Sequence, residues 1–245
     1  MSRVRLIMLS MLAVFAISAV ASASASASSD EWRVCEEGTG TGIKYTEHKC
    51  TVESGTGKWE WKILAAGETR KVKSAGGTFT LTALGKTITC AAVADKGTIT
   101  GGKPGKDLAE TITFTGCTTK QAGCSVKTAG QVNGTIVVTN IPTKLEQRKN
   151  AKGEEVVVDN FEQKEEPVGS EKFQFVTLKF EGTCSEYPET KVKGTVAAEV
   201  VKGTGELNFP SPGLEKDTLE AFGVGATLTG KDTQELENEW AVTAI

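Results

Sequence analysis

The sequence predicts an all-β fold, an antiparallel β-sandwich or flattened barrel with three disulfides, and three observations carry that prediction. Apolar and hydroxyl residues alternate with period two; glycine-centred turn signals fall between the alternating runs; and six cysteines, an even number, follow a segment that reads as an export leader. The 245 residues are 38% hydrophobic and only 6% aromatic, with 27 Gly, 6 Pro and 32 Thr. That balance favours strands and turns, and it is apolar enough for a buried core, which excludes disorder and collagen.

Thr78-Phe79-Thr80-Leu81-Thr82, Thr87-Ile88-Thr89-Cys90, Thr98-Ile99-Thr100 and Thr111-Ile112-Thr113-Phe114-Thr115 each read as a half-buried strand with Thr outward. Turns are expected between them at Gly76-Gly77, Gly85-Lys86, Asp95-Lys96-Gly97 and Gly101 to Gly105. Later strands are expected at 134–141, 155–158, 173–181, 191–201, 206–209, 225–229 and 240–245, and only 214–222 has a weak helical look. The total expected for this length is about ten to thirteen strands. Asn150 to Gly153 reads as the turn of a long hairpin returning through 156–158. Charges of both signs crowd between Thr143 and Lys172, Arg148 and Asp159 among them, and read as a solvated face.

Arg3 and Arg5 precede an apolar run from Leu6 to Val20, followed by small residues, the pattern of a secretory signal peptide. Residues 1–21 are the expected leader, cleaved after Ala21 or, alternatively, after Ala25 or Ala27. A run of 15 residues is short of the roughly 20 needed to span hydrocarbon, so no stable membrane span is expected after cleavage. Residues 22–30 read as a flexible Ala/Ser linker and 31–245 as one secreted domain, with 31–75 a disulfide-tied N-terminal unit. Removing the leader takes the net charge from −3 to −5, which gives no electrostatic reason to bind nucleic acid.

The cysteines stand at 35, 50, 90, 117, 124 and 184. Export and even number argue for disulfides, and without Cys-x2-Cys pairs or further His no zinc site is expected. Six cysteines allow 15 pairings. Proximity in sequence suggests Cys35 with Cys50 and Cys117 with Cys124, leaving Cys90 for Cys184.

The order Cys35, Gly42-x-Lys44-Tyr45, Cys50, Gly57-Lys58-Trp59-Glu60-Trp61, Ile88-Thr89-Cys90, Gly97-x-Ile99-Thr100-Gly101, Thr113-Phe114-x-Gly116-Cys117 and Cys124 resembles a group of secreted six-cysteine β-proteins of soil actinobacteria. The likeness is best between 35 and 140. It implies an exported, disulfide-bonded β domain and transfers no catalytic residue.

Candidate chemistry is sparse. Gly97-x4-Gly102-Lys103 and Gly225-x4-Gly230-Lys231 half-match a phosphate loop, but Pro104 and Asp232 stand where Ser or Thr is needed, and neither follows into a helix. His48, the one histidine, lacks a Gly-x-Ser-x-Gly partner and reads as a surface residue. With 31 acidic residues, carboxylate pairs are uninformative by themselves. Trp59 and Trp61 fall on one face of a strand, either as a sugar-stacking platform or as core over the Cys35 staple. The resulting expectation is a non-catalytic extracellular or cell-envelope protein, a binding or structural module without cofactor or metal, its partner a cell-surface glycan or protein. The alternatives are an extracellular hydrolase acting on glycans through Asp and Glu, and a carbohydrate-binding module built on Trp59 and Trp61.

Overall fold

The computed structural model describes residues 30–38, 44–162, 174–209, 214 and 217–245. The expected leader, nearly all of the linker and much of the charged stretch after Glu162 lie outside the described residues. The strands are, in chain order, β1 (Trp32–Glu37), β2 (Lys44–Tyr45), β3 (Glu53–Ser54), β4 (Trp59–Ile63), β5 (Thr69–Gly76), β6 (Phe79–Ala83), β7 (Lys86–Cys90), β8 (Ala92–Thr100), β9 (Lys106–Thr115), β10 (Thr118–Thr119) and β11 (Cys124–Lys127). They continue as β12 (Ile136–Lys149), β13 (Glu155–Glu162), β14 (Gln174–Gly182), β15 (Thr190–Lys193), β16 (Thr195–Val201), β17 (Glu206–Phe209), β18 (Glu220–Ala221), β19 (Val224–Gly225), β20 (Thr227–Leu236) and β21 (Val242–Ala244). No helix occurs among the described residues, and so none there is long and apolar enough to cross a membrane.

Eight strands close into an antiparallel barrel in the order β5-β8-β9-β12-β13-β16-β17-β20, with β20 pairing back onto β5. Each strand sends alternate residues inward, as closure requires. A half-barrel sheet grows from the same strands: the first residues of β20 pair with β6, and the sheet continues through β7, β10, β11, β14, β15, β18 and β19. The two share β20 directly, and short bends at Gly76-Gly77, Ala91 and Gly116 lead β5 into β6, β7 into β8 and β9 into β10. Gly230 marks the handover within β20, opposite Phe209 of the barrel. A Cβ there would lie 2.6 Å from the Phe79 ring, so only glycine lets this ring lie across the strand.

The opposite end of the barrel is covered by a five-stranded sheet, β21-β1-β4-β2-β3, which joins the two ends of the described chain. Trp32 is buried there and donates its indole N–H to the Lys106 carbonyl at 3.0 Å, at the start of β9. Trp32, Val34, Leu64 and Val242 belong to the same apolar core as the barrel interior.

The all-β class and the three disulfides are as the sequence predicts, and the details differ in instructive ways. There are twenty-one strands among the described residues rather than ten to thirteen, because long alternating runs break at bends and several pairings last only two residues. The expected turn at Asp95-Lys96-Gly97 is continuous strand in β8; the bulge is on its partner β9, where Thr111 faces Lys96, Ala109 faces Gly97 and Glu110 is the extra residue. The run 191–201 divides at Gly194, 225–229 continues to Leu236, and the helical look of 214–222 gives way to strand β18. The N-terminal unit ends before residue 75: β5 pairs with β8 and β20 on its two edges and is a barrel strand.

The disulfides are Cys35–Cys50, Cys90–Cys117 and Cys124–Cys184. Two pairings inferred from sequence proximity, Cys117 with Cys124 and Cys90 with Cys184, are therefore corrected. β7 and β10 align Thr89 opposite Thr118, which makes Cys90 and Cys117 cross-strand neighbours. β11 and β14 align Cys124 opposite Gly182, two residues before Cys184. Within the β10–β11 hairpin, Thr118 pairs with Ser125, and this register leaves Cys117 and Cys124 out of step.

Candidate functional site

The barrel interior is apolar at both ends and acidic in the middle. Asp95 on β8, Asp107 on β9, Asp159 on β13 and Asp232 on β20 occupy inward positions, with Ser74 on β5, Thr143 on β12 and Gln234 on β20 between them. Pairing explains why they meet: Ser74 stands opposite both Asp95 and Gln234, and Asp107 stands opposite Thr143. Asp159 faces Ala198 on β16, whose small side chain leaves it room. The layer thus spans six of the eight barrel strands, while β16 and β17 contribute Ala198 and Leu207.

Each carboxyl gains at most part of its hydrogen bonding from this layer. The Ser74 hydroxyl donates to Asp232 Oδ2 at 2.8 Å, Gln234 Nε2 donates to Asp107 Oδ2 at 3.1 Å, and the Thr143 hydroxyl donates to Asp159 Oδ1. Asp95 Oδ1, Asp107 Oδ1, Asp159 Oδ2, Asp232 Oδ1 and Gln234 Oε1 are buried without a partner. Leaving such groups unsatisfied costs about 1–3 kcal/mol each, more if charged, so the layer is an expensive feature for a purely structural core.

Burial, above all, pushes the carboxyls towards their neutral forms. Asp107 and Asp232 are raised to about 6, with the Gln234 and Ser74 hydrogen bonds respectively pulling back. Asp95 is raised to about 8 by burial and then by the charges of Asp107 and Asp232. Asp159, fully enclosed, is raised well above the usual carboxylate range, first by burial and then by Asp107. Asp95 therefore keeps its proton at neutral pH, and the four groups compete for negative charge as one coupled set.

Above the layer, between the barrel and the half-barrel, lies a cavity of about 120 Å³. Its floor is Asp95, Asp107 and Asp232; its walls include Phe114 and Phe209 from the barrel side and Phe79, Ile88, Leu178 and Val192 from the half-barrel. The phenylalanines are arranged edge to face, Phe79 against Phe114 at 5.5 Å and against Phe209 at 5.4 Å between ring centres. Among the described residues no group of three or more His, Cys, Asp or Glu is arranged to hold a metal ion.

Of the residues singled out from the sequence, Cys90 lines the cavity, while the tryptophan pair and His48 lie elsewhere. Cys35, Cys50, Trp59 and Ala241 form a separate buried cluster under the N-terminal sheet, with Trp61, Trp240 and Tyr45 packed against it. Trp59 is 8% exposed and meets Trp240 edge-on at 4.9 Å, so it presents no open face for a sugar. The geometry does not assemble Trp59 and Trp61 as a stacking platform. His48 packs edge-on against Trp59 at 5.9 Å, apart from every carboxyl of the layer. Asp159 and Arg148, read from the charge pattern as part of a solvated face, are both buried: Asp159 points into the barrel, and Arg148 pairs with Glu146 and Asp217.

The number of carboxylates does not reveal the acidic layer; their phase along each strand does. The signal is present: Asp159 sits in step with Val157 and Phe161, Asp232 with Leu228 and Leu236, and Asp107 with Ala109. A charge on the inward parity of an apolar strand is the mark of a buried carboxyl.

Compared with known proteins, the chain matches no family model, no curated protein and no solved structure.

Proposed function

We propose that this protein acts outside the cytoplasm, in the extracellular space or cell envelope, as a non-catalytic binding protein that holds a small apolar molecule in the cavity between barrel and half-barrel. The single observation that carries the reading is the cavity itself: about 120 Å³ of apolar-walled space between the barrel and the half-barrel. Eight-stranded barrels are just wide enough to be filled by side chains or to hold one small ligand. Three disulfides and a leader-like N-terminus support work in an oxidising compartment, as does the resemblance to secreted six-cysteine proteins. The glycan-hydrolase alternative gains nothing from the carboxyls that do converge. They face a space suited to a benzene-sized body, which does not admit two linked sugar rings.

The test is toluene binding to the secreted, disulfide-bonded protein, followed by methyl NMR. Saturable shifts confined to Ile88, Ile136, Leu178 and Val192 are expected, since ring currents act over short distances. Absence of saturable binding, or shifts confined to the protein surface, overturns the reading.

A further inference from the structure

We propose that the cavity selects a small amine, its apolar body among Phe79, Phe114 and Phe209 and its ammonium group against the carboxyl oxygens of Asp107 and Asp232. The inference rests on the reading of the cavity as a ligand site and names the ligand's chemical class.

Two independent features point to a cation-bearing or strongly donating head group. Asp107 and Asp232 line the cavity, are 5% and 8% exposed, and each retains an Oδ1 without a hydrogen-bond partner. Ser74 and Gln234 donate to the Oδ2 atoms, and backbone amides of Leu108 and Thr98 at Asp107 and of Asp232 itself also favour the charged forms, yet neither Oδ1 has a hydrogen-bond partner. What is missing is therefore hydrogen-bond donors and positive charge, and an ammonium supplies three donors and one charge from a single atom. A divalent ion would need more oxygens converging on one point than the described residues place there. The phenylalanine walls reinforce the choice, since aromatic faces favour cations as well as apolar bodies. A cavity of about 120 Å³ limits the ligand to one ring or a short branched chain carrying the amine.

Binding must also displace protons. The titratable groups lining the cavity are Asp95 from β8, Asp107 from β9 and Asp232 from β20; Asp159 from β13 lies outside its lining and interacts with them through charge. β5 and β12 contribute only Ser74 and Thr143; β16 and β17 contribute apolar side chains; and Glu110 acts on Asp95 as a weaker, more distant charge. Carboxyls that share protons in the free protein give them up to an incoming cation, so affinity rises with pH over the range in which Asp107 and Asp232 ionise.

The experiment compares benzylamine with toluene, two probes of similar body, by calorimetry on the full secreted protein at pH 5 and pH 8. Benzylamine is expected to bind at least about tenfold more tightly than toluene at pH 8, an advantage of about 1.4 kcal/mol, and to lose most of that advantage at pH 5. An Asp107→Asn, Asp232→Asn double variant is expected to abolish the preference for benzylamine over toluene. Toluene binding as well as or better than benzylamine at pH 8 overturns the amine inference and leaves the apolar-ligand reading standing; binding of neither probe overturns both. Since the pH comparison needs only the natural sequence, a variant that fails to fold leaves the test intact.

Discussion

Ser74 and Asp232 lie 158 residues apart in sequence and share a 2.8 Å hydrogen bond inside the closed barrel. One belongs to β5 and the other to β20, neighbouring strands that complete the ring begun far apart along the chain. Their contact places an ionisable group in the core, and it ties the protein's stability to pH.

Stability is expected to fall as pH rises from 4 to 8. Asp95, Asp107, Asp159 and Asp232 all have folded-state values above the ordinary carboxylate value, with Asp107 and Asp232 near 6 and Asp95 near 8. A raised acid binds more protons folded than unfolded. Its contribution is therefore fully present below the unfolded value and is lost as pH climbs through the folded one. Glu68, Glu146, Glu181 and Glu235 are shifted the opposite way, but Glu181 is exposed and the other three are only half-buried, so solvent screens their ion pairs and they offset little. Denaturant titrations across this range should show a decline of several kcal/mol, and Asp95→Asn should flatten its upper part, above pH 6. A profile that rises from pH 4 to 8 contradicts the buried layer.

Thr143→Val removes the hydroxyl that donates to Asp159 while preserving shape. Asp159 is completely enclosed and its other oxygen has no partner, so the variant should cost about 1–3 kcal/mol. Urea unfolding at pH 6 measures it, and a change under about 0.5 kcal/mol would show that the hydroxyl is dispensable.

Gly230→Ala should destabilise the protein by about 1–3 kcal/mol, because the added carbon meets the Phe79 ring at 2.6 Å with Phe114 and Phe209 packed behind it. Trimming Phe79 to Leu in the same chain should recover part of that loss. Thermal melts of the single and double variants separate this clash from a simple effect of glycine on strand propensity.

Peptide mapping under non-reducing conditions should recover Cys90 joined to Cys117 and Cys124 joined to Cys184. Replacing the latter pair by alanine removes a link across 60 residues and should cost roughly 4 kcal/mol if strain is small. The Cys35–Cys50 pair closes only 15 residues, and its loss should cost roughly 3 kcal/mol on the same account. Recovery of a Cys117–Cys124 peptide would refute the strand register described here.

Much of the fold is legible in the sequence because its evidence is local. Period-two alternation of Thr with Ile, Phe and Leu marks β6, β7 and β9, and Asn150 with Gly153 marks the β12–β13 turn, where the Asn150 side chain accepts bonds from the Lys152 and Glu154 amides. The even cysteine count settles that thiols pair. Other facts belong to the tertiary structure alone, since each depends on residues far apart in sequence: the return of β20 onto both β5 and β17 that closes the barrel, the register that brings Cys124 to Cys184, and the gathering of three aspartates from three strands at the floor of one apolar cavity. Alternation tells which side of a strand is buried but not which strands share that interior, because side-chain phase is fixed by the local backbone whereas neighbourhood is fixed only when the sheet closes.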